Sequence, residues 1–185
     1  MNVSRPLLAL LDAYATQHPE EATTIRAFRG FVENEPDSFE RSLLVGHITG
    51  SGWIVDSSGT RTLLTHHRKL NIWLQPGGHA DGDPDVLEVA MKECREETGL
   101  AELSPVSTGI FDLDIHPIPA RGEVPAHLHY DVRFLIREAG EGHYTVTEES
   151  HDLAWVAHGE LERYTTEPSM MRMRDKAVRV LSGRA

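Results

Sequence analysis

Three glutamates, Glu93, Glu96 and Glu97, stand in the segment MKECREETGL at the i, i+3 and i+4 spacing that gathers side chains on one helix face, with Cβ atoms about 5–6 Å apart. Like charges so placed destabilise a helix by roughly 0.2–0.5 kcal/mol per pair, and carboxylates in a last turn also oppose the helix dipole. A segment optimised only for helix stability avoids this arrangement. For an isolated acidic run, a solvated face partly neutralised by Lys92 and Arg95 is the ordinary outcome. The chemistry that rewards it is divalent-cation binding. Magnesium and manganese take oxygen ligands, and carboxylates fixed on one face can hold them while leaving positions for phosphate oxygens and water. The preceding Gln75-Pro76-Gly77-Gly78 loop has bare backbone that can approach the same ion.

A helix from about Asp85 to Thr98 must position these groups. Asp83 is placed to cap it, Pro84 suits its first turn, and Gly99 followed by Leu100 signals a left-handed stop. Leu87, Ala90, Met91 and Cys94 form its apolar stripe, so Cys94 is read as core rather than as a nucleophile. Strands are expected from Leu43 through GHITGSGWIVD, then across an Asp56-Ser57-Ser58-Gly59 turn into RTLLTHH, and near 71–74, 108–115, 127–137 and 153–156. The segment HLHYDVRFLI alternates strictly, with Leu128, Tyr130, Val132, Phe134 and Ile136 on one face and His127, His129, Asp131 and Arg133 on the other. The first forty residues read as two amphipathic helices ending at Asn34-Glu35-Pro36-Asp37, and 168–181 as a closing helix.

The chain has 185 residues, 18 basic against 29 acidic, for a net charge of −11. Such a charge repels a nucleic-acid polymer, whereas small phosphorylated substrates remain accessible if cations intervene. The single cysteine excludes an internal disulfide and a paired-cysteine zinc set, which favours the cytoplasm. The amino-terminal stretch MNVSRPLLALLDAY is interrupted by Asp12 and lacks a small-residue cleavage site, so a signal peptide is not expected. No apolar run is long enough to span a bilayer.

Residues 78–100, GHADGDPDVLEVAMKECREETGL, resemble the Nudix box, G-x5-E-x7-R-E-U-x-E-E-x-G-U with U a bulky aliphatic residue. Gly78, Glu93, Glu96, Glu97, Gly99 and Leu100 match, and Cys94 fills an aliphatic position. Pro84 stands in place of the pattern's glutamate and Lys92 in place of its arginine. The resemblance implies an α/β fold, a mixed β-sheet sandwiched between helices, here with an N-terminal helical extension (1–40) ahead of a catalytic domain (41–185). It implies hydrolysis of a diphosphate linked to another moiety, with Mg2+ or Mn2+ as cofactor. Gly78, Glu93, Glu96 and Glu97 are then the metal-binding set, and Lys92, Glu93, Glu96 and Glu149 the catalytic candidates. Glu149 is preferred to Glu148 as the carboxylate from outside the box, and the general base stays open among Glu93, Glu96 and the loop glutamates.

Among other residues, His79, His129 and Arg133 are candidates for substrate contact, although histidine on a polar strand face and surface arginine are ordinary features. His66, His67 and His127 lie near the same expected cleft. Trp53, Trp73 and Trp155 are read as core before base-stacking. Partners are expected to be a small phosphorylated substrate, with no nucleic-acid polymer and no membrane, and a homodimer is left open. Two rivals stand beside hydrolysis: an isoprenoid diphosphate isomerase with histidine and glutamate metal ligands, and a non-catalytic nucleotide-binding module.

Overall fold

The computed structural model describes residues 4–183; residues 1–3 and 184–185, which fall at the outer ends of the expected 1–40 and 41–185 divisions, lie outside it. Two helices open the chain, α1 (Arg5–Gln17) and α2 (Ala22–Asn34). Strands β1 (Gly46–Val55), β2 (Arg61–His67), β3 (Ile72–Leu74) and β4 (Gly77–His79) follow, then helix α3 (Val86–Thr98). After it come β5 (Leu103–Pro105), β6 (Asp112–Ile118), β7 (His127–Glu138), β8 (Ser150–Ala157) and helix α4 (Pro168–Leu181).

The eight strands form one mixed sheet in which β3-β2-β1-β7-β5 is the hydrogen-bonded path, while β4 pairs with β1, β6 with β7 and β8 with β2. The β1–β7 ladder is parallel, from Gly46↔Leu128 to Val55↔Arg137, and the other pairings are antiparallel. Strands β4 (Gly-Gly-His) and β5 (Leu-Ser-Pro) went unread in the sequence because glycine and proline are depleted in strands, whereas the equally short β3, Ile-Trp-Leu, was read from its β-branched and aromatic residues. Among the described residues no helix is long and apolar enough to cross a membrane.

Alternation along β1 and β7 divides the core. Ile48, Ile54, Val132, Phe134 and Ile136 join a buried cluster with Leu7, Leu11, Phe28 and Val32 of the first two helices and with Val86, Ala90 and Cys94 of α3. Phe31 stacks on Tyr130 with ring centroids 3.9 Å apart. The other face places Trp53, Val55 and Leu135 against Met170, Met173 and Ala177 of α4. The sheet is therefore covered by helices on both faces, as expected, and α1 and α2 share one core with it.

Arg133 departs from its expected place. It is 3% exposed, and its guanidinium contacts Asp131 at 2.7 Å, Asp112 at 3.2 Å and Asp114 at 3.3 Å. With its nitrogens so engaged it is neither a surface charge nor turned toward a phosphate. The alternating strand is covered rather than solvated around Arg133, because β6 sets Asp112 beside it and α4 brings Arg172 and Lys176 onto that carboxylate. Asp112, 0% exposed, also accepts hydrogen bonds from Arg172 at 2.8 and 2.9 Å and from Lys176 at 2.7 Å.

Burial by itself would raise the Asp112 carboxyl, but the Arg172 hydrogen bonds and the charges of Arg133 and Lys176 hold it below the usual carboxylate range. Asp114 is held low in the same way by His116, Arg133 and Arg172 against its own burial. Carboxyls depressed in the folded state contribute stability above the unfolded value near 4, and that contribution is lost as pH falls through the folded values. Thermal unfolding of Asp112→Ala at neutral pH should show a loss of about 3–5 kcal/mol, because the buried cations Arg133 and Lys176 and the half-buried Arg172 lose a counter-charge. Below about pH 4 the gap to the parent should narrow; a gap that is constant with pH would assign the loss to packing alone.

Candidate functional site

Helix α3 begins one residue later than its sequence suggests. Asp85, not Asp83, is the N-cap, its carboxylate accepting from the Glu88 amide at 3.2 Å. Asp83 instead accepts from the Asp85 amide at 2.9 Å, so Pro84 lies inside this turn and precedes the helix. Gly99 ends the helix in the left-handed region with φ 70°, its amide returning to the Arg95 carbonyl at 2.8 Å. The buried stripe is also rotated from the expected one: Val86, Val89, Ala90, Met91 and Cys94 are buried, and Leu87 is only partly so.

That rotation carries Glu97 inward, to 6% exposure. Its carboxylate accepts the Gly77 amide at 3.0 Å, which ties the last turn of α3 to β4. Glu93 lies one turn earlier against Gly78, where a β-carbon would overlap the Glu93 carboxylate. Gly78 matters here for this close approach to the end of the Glu93 side chain and not for its backbone angle. Glu96 and Lys92 are exposed and 4.0 Å apart, a weak solvent-screened pair, so Lys92 stands beside Glu96 and does not clamp Glu93. Glu149 sits in the exposed loop before β8, close enough that its charge is felt by both Glu93 and Glu97. Glu148 is exposed in the same loop.

Burial pushes the Glu97 carboxyl up to about 8; Glu149 and Glu93 act in the same sense, and the Gly77 amide only partly offsets them. Glu93 is raised by burial and then by Glu96. When its carboxylates are ionised, the site carries more negative charge than Lys92 offsets. Oxygen donors from Glu93, Glu96 and Glu97, a backbone brought close by a glycine cradle, and excess negative charge are a donor set that fits Mg2+ or Mn2+.

Beside Glu93, a cavity of about 410 Å³ is lined by His79, Asp81, Asp83, Glu88 and Lys92 among others. Arg41 pairs with Asp81 at its rim; neither was singled out in the sequence, and their separation by forty residues offers no local signal. A larger cavity of about 680 Å³ beside α1 and α4 carries none of the α3 carboxylates. Of the substrate-contact candidates, His79 lines the glutamate cavity, His129 lies on the opposite face of the sheet from α3, and Arg133 is enclosed by carboxylates. His66 stacks on Trp73 at 4.9 Å, and His67 accepts from the Leu70 amide at 3.1 Å. Trp53 is core at 0% exposure, and Trp155 donates to the Gly142 carbonyl at 2.9 Å.

The sequence pattern of the NUDIX domain family matches residues 47–176. A curated relative, the m7GpppN-mRNA hydrolase NUDT17 of Xenopus laevis, is 32% identical over 106 residues, which cover 54% of this chain and 35% of that protein. The match thus spans about a third of the relative's length. Among solved structures, an Ap4A hydrolase of C. elegans in a binary complex superposes with a TM-score of 0.60 at 17% identity, covering 74% of this chain and 98% of that one. The NUDIX domain of Shewanella oneidensis NrtR, complexed with ADP ribose, gives 0.54 at 13% identity, covering 83% and 97%. At these identities the superpositions establish the fold.

A carboxyl raised in the folded state stabilises while it stays protonated, and that stability is lost as pH rises through the folded value. Metal-free parent protein should therefore lose stability between about pH 5 and pH 9 as Glu97 ionises. Glu97→Gln removes the charge at nearly constant size. By chemical denaturation in chelator, it should match the parent near pH 5 and exceed it by on the order of a few kcal/mol at pH 9. Equal pH dependence in both proteins would mean that Glu97 is ionised in an ordinary solvated setting.

Proposed function

Since the chain belongs to the NUDIX domain family, we propose that it hydrolyses the diphosphate bond of a nucleoside diphosphate linked to another moiety, with Mg2+ or Mn2+ as cofactor. The observation that carries this reading is the seating of Glu93 and Glu97 on the Gly77–Gly78 backbone at the edge of a cavity. The relatives' names supply the substrate class. Capped mRNA, Ap4A and ADP ribose each join a nucleoside to a second group through a phosphoanhydride.

Glu93, Glu97 and the Gly78 backbone would hold the ion, with Glu96 reaching it from the exposed side of the helix. A divalent ion bound there supplies charge neutralisation of the diphosphate and a lower pKa for an attacking water. The protein's own groups do the rest. Gly78 keeps the Glu93 carboxylate close to the backbone, and the Gly77 amide fixes Glu97 so that it cannot swing out with solvent. Glu149 is the proposed base: it stands on a loop outside the helix, is exposed, and is close enough to interact with the half-buried Glu93 and the buried Glu97. Lys92 offsets the charge of Glu96 from the solvent side. The acidic surface makes a small phosphorylated substrate preferable to a nucleic-acid polymer, and the free cysteine suits a cytoplasmic location.

An isoprenoid isomerase would need a cysteine within reach of substrate, whereas Cys94 is fully buried in the face of α3 turned to the sheet. A binding module without turnover is the second reading, and the departures at Pro84 and Lys92 favour it.

A screen of nucleotide sugars, ADP-ribose, dinucleoside polyphosphates and nucleoside triphosphates in magnesium or manganese, with each product identified, decides between them. Cleavage of a phosphoanhydride that stops on chelation is expected, and Glu97→Gln should lower kcat by roughly a hundredfold or more. Full turnover after exhaustive chelation, or tight binding with no product from any class, would overturn hydrolysis by this site. Gly78→Ala should retain the parent's melting temperature within a few degrees, since only the end of a flexible side chain must move. Its turnover should nevertheless drop at least tenfold, because the Glu93 carboxylate is displaced; an unimpaired enzyme would remove Gly78 and Glu93 from the reaction.

A further inference from the structure

Four histidines gather on the sheet face opposite α3, and His79 meets them from β4, where it also borders the glutamate cavity. His47 of β1 pairs across the ladder with His129 of β7, His129 pairs with His116 of β6, and His79 of β4 lies opposite Thr49, two residues along β1 from His47. His127 precedes His129 by two residues and so shares its face. Ring centroids are 4.9 Å apart between His47 and His127, 4.8 Å between His47 and His129, and 5.0 Å between His47 and His79. One ligand nitrogen from each of His47, His127 and His129 lies within 4.8 Å of the other two.

We infer that His47, His127 and His129 form a binding site for a divalent transition-metal ion of the zinc type, separate from the α3 glutamates, with His79 beside the coordination position they leave free. Imidazole nitrogen suits zinc and the later first-row ions, whereas magnesium and calcium select oxygen. A tetrahedral zinc site holds nitrogen at about 2.0–2.1 Å, so its ligand atoms stand roughly 3.3–3.4 Å apart. The three rings need to close by no more than about 1.5 Å.

Unpaired buried nitrogen points the same way. His47 is 3% exposed, and Nε2 of His47 and Nε2 of His129 are buried without a hydrogen-bond partner among the described residues. Orphaned buried polar atoms of this kind are uncommon, and each is costly to a fold that gains nothing from it. The remaining nitrogens are already oriented. Nδ1 of His127 is 2.9 Å from the Pro125 carbonyl and Nδ1 of His47 is 3.5 Å from the Leu43 carbonyl. A carbonyl only accepts, so Nδ1 carries the proton in each ring and the lone pair is left on Nε2, the tautomer that a metal requires. His116, whose Nδ1 is 3.1 Å from the Asp114 carboxylate, repeats the device at the border of the cluster. The strands β4, β1, β7 and β6 that carry these residues are adjacent in one sheet, a rigid frame for a ligand set. The other compact group, His18 with Glu20 and Glu21, is already met by the Lys176 ammonium at Glu21.

The full-length protein, stripped with chelator, is loaded with Zn2+ and dialysed against excess Mg2+, and its zinc content is measured; Co2+ substitution then reports coordination through its visible absorption. One Zn2+ per chain should be retained, and Co2+ should give the intense bands of a four-coordinate nitrogen site. His129→Asn and His127→Asn should each weaken Zn2+ binding at least tenfold, while Glu97→Gln leaves it unchanged. Melting curves in chelator check that each variant folds, and His127, at the start of β7 and only partly buried, is the variant least disturbing to the core. Failure of the parent to retain Zn2+, retention undiminished in a folded His127→Asn protein, or loss of Zn2+ in Glu97→Gln would each overturn the site. These readouts need no turnover, so their failure is distinct from failure of the hydrolase assignment.

Discussion

Helix α3 reaches the edge of the sheet with its carboxylates because nothing larger than a hydrogen atom projects toward it from β1 at Gly50 and Gly52. A β-carbon at Gly50 would stand 2.8 Å from the Val86 carbonyl oxygen, and one at Gly52 would overlap the Cys94 sulfur. Either would have to lift the helix or bend the strand, and close-packed interiors do not absorb such a change cheaply. The height of α3 above β1 is thereby set at two successive contacts along the strand. Glu97 can then accept the Gly77 amide and Glu93 can lie on Gly78. Four glycines, two under the helix and two beside its glutamates, thus turn an unfavourable cluster of like charges into an ordered one.

The opposite face of β1 and β7 changes character along its length. At the Gly46 end stand the histidines; next come Thr49 and Ser51, both donating to Asp131 at 2.9 Å, with Arg133 alongside. Beyond them Trp53 and Leu135 pack on α4. The middle layer is expensive, since most of its charges are removed from water, and it is tolerated because Asp131, Asp112 and Asp114 meet Arg133, Arg172 and Lys176 with good geometry. Lys176 extends the network to Tyr14 of α1 at 2.6 Å, so the closing helix and the first helix are joined through one ammonium group. The sheet consequently presents two chemically unlike faces: oxygen donors where α3 meets β4, and nitrogen donors on the reverse.

Much of this was legible before any coordinates. The glutamate spacing, the Gly-Gly entry, the Gly99 stop and the alternation of β7 are local signals, each set by the 3.6- or 2-residue period or by the conformational range of glycine. They located the box helix to within a residue at its start and assigned both faces of the longest antiparallel-paired strand. Strands β4 and β5, each three residues with glycine or proline among them, carried no such signal. The capping choice between Asp83 and Asp85 depended on which carboxylate the turn at Pro84 left free, a matter of a single residue's placement.

By itself the sequence determined the family, the fold class and the helix that carries the carboxylates, because those rest on patterns within a few residues of one another. Only the tertiary structure decided which glutamates are buried, since that depends on how far α3 rotates as its apolar side settles on Gly50 and Gly52. It likewise decided that Arg133 is enclosed, because its partners Asp112 and Asp114 lie 21 and 19 residues away. His47 acquired meaning in the same way: a histidine beginning a strand is unremarked in one dimension, and the parallel β1–β7 register that sets it against His129 is fixed by pairing across 82 residues. Local periodicity reports which way a side chain points; what it meets there is settled by packing between distant segments, which no local pattern encodes.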